Sequence, residues 1–257
     1  MHISFSKYQG TGNDFVIIDN RKGNIELSTE QIRLMCDRRF GIGADGFMLL
    51  NHATTVDFEM KYYNADGVEG SMCGNGGRCL TKFAFDCGII KEQYTFIASD
   101  GLHEARFGKN KWVHLKMIDV NTVQQNNADF VLNTGSPHYI KPVQRIDQID
   151  VLEAGRTIRY NDTFKEKGIN VNFVESFPEE IKVRTYERGV EDETYSCGTG
   201  VTAASLIFAK QVGFNRIAVD TKGGQLAVEF NKINDQHFNN IWLCGPATFV
   251  FKGDIAV

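Results

Sequence analysis

No apolar run in the 257-residue sequence approaches the roughly 20 residues that a membrane-spanning helix needs, which excludes a helical membrane protein. Nor is there an excess of basic charge. The 28 Lys+Arg and 32 Asp+Glu leave a net charge of −4, giving no footing for nucleic acid or an anionic membrane surface. The six cysteines form no Cys-x-x-Cys pair, and the six histidines form no His-x-x-x-His pair. Neither a zinc site nor a dithiol redox motif is therefore written into the chain, and no metal is expected. Six cysteines in a chain this long do not make a secreted disulfide framework. The opening "MHISFSKYQGTGNDF" lacks the basic, apolar and small-residue order of a signal peptide, so the expected compartment is the cytoplasm, with reduced thiols. No Pro/Gly/Ser-rich linker divides the chain.

What the chain does have is a repeat. With 42% hydrophobic and 23% charged residues it reads as a soluble globular protein of one or two domains. "SMCGNGGRC" (71–79) and "YSCGTG" (195–200) each set a cysteine before a Gly-x-Gly turn and a helical run, at an offset of 124 (197 − 73). "TGNDFV" (11–16) pairs with "TGSPHY" (134–139), "DGFMLL" (45–50) with "INVNFV" (169–174), and "SDGLHEARF" (99–107) with "KGGQLAVEF" (222–230), all at offsets of 123 or 124. A constant offset in constant order indicates a duplicated unit. The runs between these motifs are short, β-branched and aromatic, as in "FVIID", "YTFIAS" and "IKVRTY", and predict strands. Helices are predicted over 28–39, opened by a Ser-x-x-Gln capping box, over 76–87, stopped by Gly88, and over about 200–212, stopped by Gly213. The expected fold is α+β: two pseudo-symmetric domains, each an antiparallel β-sheet or barrel wrapped around a central helix. Residues 1–120 form the first, with about 248–257 returning to it, and 121–247 form the second.

A cysteine at a helix start sits at the positive end of the helix dipole, which lowers a thiol pKa. The Gly-x-Gly after it leaves backbone N–H groups open to a carboxylate. If the halves pack symmetrically, two thiols face one cleft. That arrangement suits removing a proton from one face of a carbon and returning one to the other, without redox change. The α-hydrogen of an amino acid is a very weak acid; a gap of about ten pKa units costs roughly 14 kcal/mol, which dipoles, fixed donors and excluded water must offset. Cys36, Cys79, Cys87 and Cys244 lie in apolar patterns and read as core. Two facing thiols could also form a disulfide, so a dithiol redox protein is the competing class, whereas a pure binding module would need neither thiol.

"GTGNDF" (10–15), "NADG" (64–67) with "MCGNGGRC" (72–79), "YERG" (186–189) and "SCGTG" (196–200) together resemble the diaminopimelate epimerases, over essentially the whole chain. The resemblance implies interconversion of L,L- and meso-2,6-diaminopimelate, on the route to lysine and peptidoglycan, with no cofactor and a homodimer whose interface lies near "FVFKGD" (249–254). It implies Cys73 and Cys197 as the acid/base pair, with backbone N–H groups of Gly74, Asn75, Gly198 and Thr199 on the carboxylate at the reacting carbon. Asn13, Asn64 and Asn170 fall on substrate-binding positions. Arg188 falls on the position that pairs with the distal carboxylate. Glu187 is implied near the substrate ammonium and one cysteine, and His138 near the other, both as groups that tune the thiols. Two positions depart from the pattern: Gly46 stands where some members carry glutamine, and Ser136 where many carry asparagine. The runner-up, a proline or hydroxyproline racemase, typically has histidine after the first Cys-Gly, where this chain has Asn75, and would leave Asn64, Asn170 and Arg188 idle.

Overall fold

Residues 13–20, "NDFVIIDN", are apolar on both faces of a strand and become a strand covered on both faces. The computed structural model describes residues 2–256. The chain divides into two units, Met1–Leu115 with Gly245–Val257, and Lys116–Cys244. The first runs β1 (His2–Gly10), β2 (Asn13–Asn20), α1 (Thr29–Cys36), β3 (Gly46–Asn51), β4 (Phe58–Asn64), α2 (Gly74–Asp86), β5 (Gln93–Ala98), β6 (Gly101–Phe107) and β7 (Val113–Lys116). The second runs β8 (Val123–Asn126), β9 (Asp129–Asn133), β10 (Pro137–Pro142), α3 (Val151–Arg159), β11 (Asn170–Ser176), β12 (Glu180–Glu187), β13 (Asp192–Thr194), α4 (Gly198–Ile207), β14 (Gly213–Thr221), β15 (Gly224–Lys232) and β16 (Phe238–Gly245). β17 (Thr248–Ala256) then pairs antiparallel with β1.

The two units repeat one pairing scheme. β2 lies parallel to β3 and β4 parallel to β5, while β3–β4 and β5–β6 are antiparallel. In the second unit β10 lies parallel to β11 and β12 parallel to β14, while β11–β12 and β14–β15 are antiparallel. The expected antiparallel sheet is thus refined to a mixed one. The reason is the connections: β2 reaches β3, and β10 reaches β11, through α1 and α3, and a crossover of that length returns the chain parallel.

Local chemistry sets the element ends. Thr11 and Gly12 take φ of 53° and 83°, so a two-residue type I′ turn joins β1 to β2. Ser28 caps α1 through the full capping box with Gln31. α1 stops at Cys36, three residues short of the expected Arg39, because the Asp37 carboxylate accepts from the N–H groups of Arg39 and Phe40 and turns the chain. α2 ends in a Schellman motif: Gly88, at φ 93°, donates to Phe85 O and Ile89 donates to Ala84 O. α4 ends at Ile207 rather than near Val212. Asn215 is the cause, since its side chain accepts from the N–H groups of Lys210 and Gln211 and donates to the carbonyls of Gln211 and Gly213. α3 was not expected from the sequence, although Asp150 caps it by accepting from Glu153 N–H. Gly155 at its centre weakened the helical signal, and a Cβ there would stand 2.4 Å from Tyr186 Cβ.

Both central helices are sunk in their sheets. Gly74 to Thr81 of α2 are buried throughout, and α4 is buried from Gly198 to Leu206 apart from Thr199. α1 covers a core of Ile3, Phe5, Val16, Ile18, Phe47 and Leu49; α3 covers one of Ile146, Ile169, Val171, Phe173 and Tyr186. No described helix is long and apolar enough to cross a membrane.

Candidate active site

Each unit presents a cysteine as the N-cap of its buried helix: Cys73 before α2 and Cys197 before α4. Cys73 O accepts from Gly77 N–H, and Cys197 O from Val201 N–H, so both backbones are held into the first helical turn. The following N–H groups belong to Gly74 and Asn75 in one unit and Gly198 and Thr199 in the other. At a helix start such groups point outward and carry positive potential.

Around Cys73 the first unit builds a polar frame. Asn13, at the head of β2, donates from Nδ2 to Asp45 Oδ2 at 2.8 Å. Asp45 is tied in turn to Arg38 at 2.6 Å, and Arg38 also holds Asp14 at 2.7 Å. Burial works against ionisation of Asp14, yet Arg38 and Lys7 bring its carboxyl down to about 2. With Nδ2 fixed on a carboxylate, Asn13 turns Oδ1 toward Cys73 Sγ, 3.6 Å away, and accepts from Asn75 Nδ2 at 3.2 Å. Arg78, fully buried, orients Asn75 by donating to its Oδ1 at 3.0 Å and also reaches Gly74 O. Asn64 stands exposed at the end of β4, where its carbonyl accepts from Gly67 N–H. At Gly46 a Cβ would meet the Tyr62 ring at 2.7 Å, so the tyrosine occupies the room that a longer side chain would need.

Around Cys197 the second unit builds a different frame. Thr199 Oγ1 lies 3.5 Å from Cys197 Sγ and 3.1 Å from Ser136 Oγ. Ser136 Oγ is 2.9 Å from His138 Nε2, and Asn172 Nδ2 is 3.1 Å from His138 Nδ1. His138 has no exposed surface. Burial, reinforced by the Arg188 charge, drives its pKa down to about 3, so the ring is neutral at physiological pH. Asn170 donates to Pro137 O and Ser136 Oγ, and accepts from the Arg188 N–H at 2.9 Å. Arg188 follows β12, exposed, with Nη1 on Lys167 O at 3.1 Å. Glu187 ends β12, partly buried, opposite Asp192.

Sequence reasoning missed Asn172, Asp45 and Arg78. A signal existed for the first: Asn170 and Asn172 lie two apart in an apolar strand, hence on one face. Of the remaining cysteines, Cys36, Cys79 and Cys244 are buried in the core as expected, whereas Cys87, at the C-cap of α2, is only partly buried. Burial raises Cys36 and Cys87 to about 11 and Cys79 to about 12, so none is a thiolate near neutrality.

A mixed sheet around a buried helix, made twice, defines a two-unit α+β fold found in known structures. A phenazine biosynthesis protein of the PhzF family from Bacillus anthracis superposes with a TM-score of 0.76 at 14% identity, covering 100% of both chains. A hydroxyproline epimerase from Agrobacterium vitis gives 0.70 at 13% identity, covering 100% of this chain and 93% of that one. The sequence is more specific than the fold. The family model described as diaminopimelate epimerase matches residues 5–122 and 130–250. A diaminopimelate epimerase of Flavobacterium psychrophilum is 48% identical over 253 residues, spanning 97% of this chain and 98% of the relative. This chain belongs to the diaminopimelate epimerase family.

Proposed function

We propose that the protein is an isomerase that epimerises 2,6-diaminopimelate between its L,L and meso forms through Cys73 and Cys197. Inversion at a carbon without redox change needs a base on one face and an acid on the other. The observation that carries the reading is the repeated helix start: each unit sets one cysteine at the N-cap of its buried helix. One thiolate takes the α-proton, and the other thiol returns a proton to the opposite face. The N–H groups of Gly74, Asn75, Gly198 and Thr199 hold the carboxylate at the reacting carbon and take up the charge that develops on it. Asn13 and Asn64 contribute polar contacts, Glu187 meets the substrate ammonium, and Arg188 grips the distal carboxylate. Asn170 supports Arg188 by holding its backbone. His138, neutral and hydrogen-bonded at both ring nitrogens, tunes the Cys197 side by orientation rather than by charge.

Proline and hydroxyproline racemization shares the fold, but the family match and the exposed Arg188, suited to a distal carboxylate, favour the longer diamino diacid. The active form we propose is a cytoplasmic homodimer. β17 supports this with Phe249, Val250 and Phe251 at 46%, 51% and 44% exposure, an apolar run of the kind that marks interfaces. The test of the activity is incubation with L,L-diaminopimelate in deuterated water. Meso product carrying α-deuterium is expected; turnover of proline instead would transfer the protein to the racemases.

A further inference from the structure

The hydrogen bonds around the two thiols differ in direction, and backbone groups fix that direction. In the second unit, Asn172 Nδ2 donates to the carbonyl of Tyr139 at 3.1 Å, and its Oδ1 accepts from the Thr185 hydroxyl at 2.9 Å. A carbonyl can only accept, so the amide cannot be reversed. Asn172 Nδ2 therefore donates to His138 Nδ1, which leaves the proton of the neutral ring on Nε2, aimed at Ser136 Oγ. Asn170 is fixed in the same way, by Pro137 O on one side and the Arg188 N–H on the other, and its Nδ2 also donates to Ser136 Oγ at 3.2 Å. Ser136 Oγ now accepts twice and has a single proton to give. Thr199 Oγ1, 3.1 Å away, receives it. The proton of Thr199 is then directed at Cys197 Sγ, at 3.5 Å.

The first unit runs the other way. Asn13 Nδ2 is held by Asp45, so the atom that faces Cys73 Sγ is the acceptor Oδ1. A thiol can donate to that oxygen, whereas a thiolate would meet a partial negative charge. Cys197 faces a donor and Cys73 faces an acceptor.

We propose that the two cysteines rest in different states, Cys197 as the thiolate held by a Ser136–Thr199 hydroxyl relay and Cys73 as the thiol held by Asn13. The proposal deepens the two-cysteine reading and takes its catalytic meaning from it: the substrate form whose α-hydrogen faces Cys197 meets a base already made, and the opposite form requires the thiols to exchange states first. Ser136 and Thr199 act here as positioning residues. Serine at 136, where the resemblance leads one to expect asparagine, supplies the hydroxyl that can both accept twice and donate once.

The test follows each thiol by its pH-dependent alkylation with iodoacetamide, without substrate, quantified by peptide mass spectrometry. In the wild-type protein the Cys197 midpoint is expected at least about one pH unit below that of Cys73, the equivalent of a tenfold preference. Thr199→Val removes the final donor and raises the Cys197 midpoint by about one unit while that of Cys73 stays in place. Thr199→Ser keeps the donor and the low midpoint. Ser136→Ala breaks the relay one step earlier and moves Cys197 in the same direction by less, which decides the matter should the valine variant fail to fold. Asn13→Ala lowers the Cys73 midpoint. A Cys73 midpoint at or below that of Cys197 in the wild type overturns the proposal, as does a Cys197 midpoint indifferent to both Thr199→Val and Ser136→Ala. Turnover of L,L-diaminopimelate is scored separately, so that inactivity toward it counts against the proposed function while the order of the midpoints still decides the resting states.

Discussion

A Cβ on Gly200 would stand 2.3 Å from the side-chain oxygen of Asn172. The second glycine of "SCGTG" thus lets α4 press its first turn onto the amide that orients His138. A methyl group there must displace Asn172 or lift the helix start. Gly200→Ala is expected to cost about 1–3 kcal/mol of stability, the usual range for overpacking. It should also lower turnover strongly, because Ser136 and Thr199 lose their alignment. Urea denaturation and steady-state rates check both effects. Wild-type rates in the alanine variant would show that Asn172 has no part in aligning Cys197.

His138 carries a pH signature. Its pKa is 6.5 in the reference state and about 3 in the fold. Between these values the unfolded chain binds a proton that the folded chain refuses, so stability falls as pH drops below about 6.5. The slope approaches roughly 1.4 kcal/mol per pH unit. Asp14 is shifted in the same direction, from 3.8 to about 2, but its contribution is lost only as pH falls below about 4. The window from pH 5 to 6.5 therefore reports on His138. Urea midpoints across it should fall in the wild type and flatten in His138→Gln. Parallel curves for the two proteins would remove the buried imidazole as the cause.

Val250 tests the proposed assembly. It is 51% exposed on β17, so an aspartate there costs the isolated chain little and would be costly in an apolar interface. Sedimentation velocity should give a dimer for the wild type and a monomer for Val250→Asp. A wild-type monomer, or a variant that stays dimeric, argues against β17 as the contact.

Much of this architecture was legible because the chain states it twice. The constant offset located both cysteine-capped helices, and the Ser28 capping box located α1. What sequence could not supply were relations between residues distant in the chain. The mixed pairing depends on α3, whose Gly155 hides its periodicity and has a reason only in Tyr186. The early end of α4 depends on Asn215, eight residues beyond the last helical position. Asn13 was expected as a site residue, but Asp45, which decides which of its atoms meets Cys73, lies 32 residues away. Hydrogen-bond direction is a tertiary property, and the difference between the two thiols rests on it.

Arg188 separates recognition from chemistry. Its backbone N–H is held by Asn170 at 2.9 Å, while the exposed side chain donates from Nη1 to Lys167 O at 3.1 Å. That leaves donors for a carboxylate, and the planar fork can grip both oxygens at once. Lysine keeps the charge but not the fork. Arg188→Lys should therefore weaken binding by about 1.5–3 kcal/mol, a rise in KM of roughly 10- to 150-fold. The rate at saturation should fall less, since Cys73 and Cys197 are untouched; some loss is expected because remote binding energy also positions the reacting carbon. The check is steady-state kinetics with L,L-diaminopimelate alongside α-deuterium exchange from solvent. An unchanged KM, or a defect confined to saturating substrate, would move Arg188 away from the distal carboxylate.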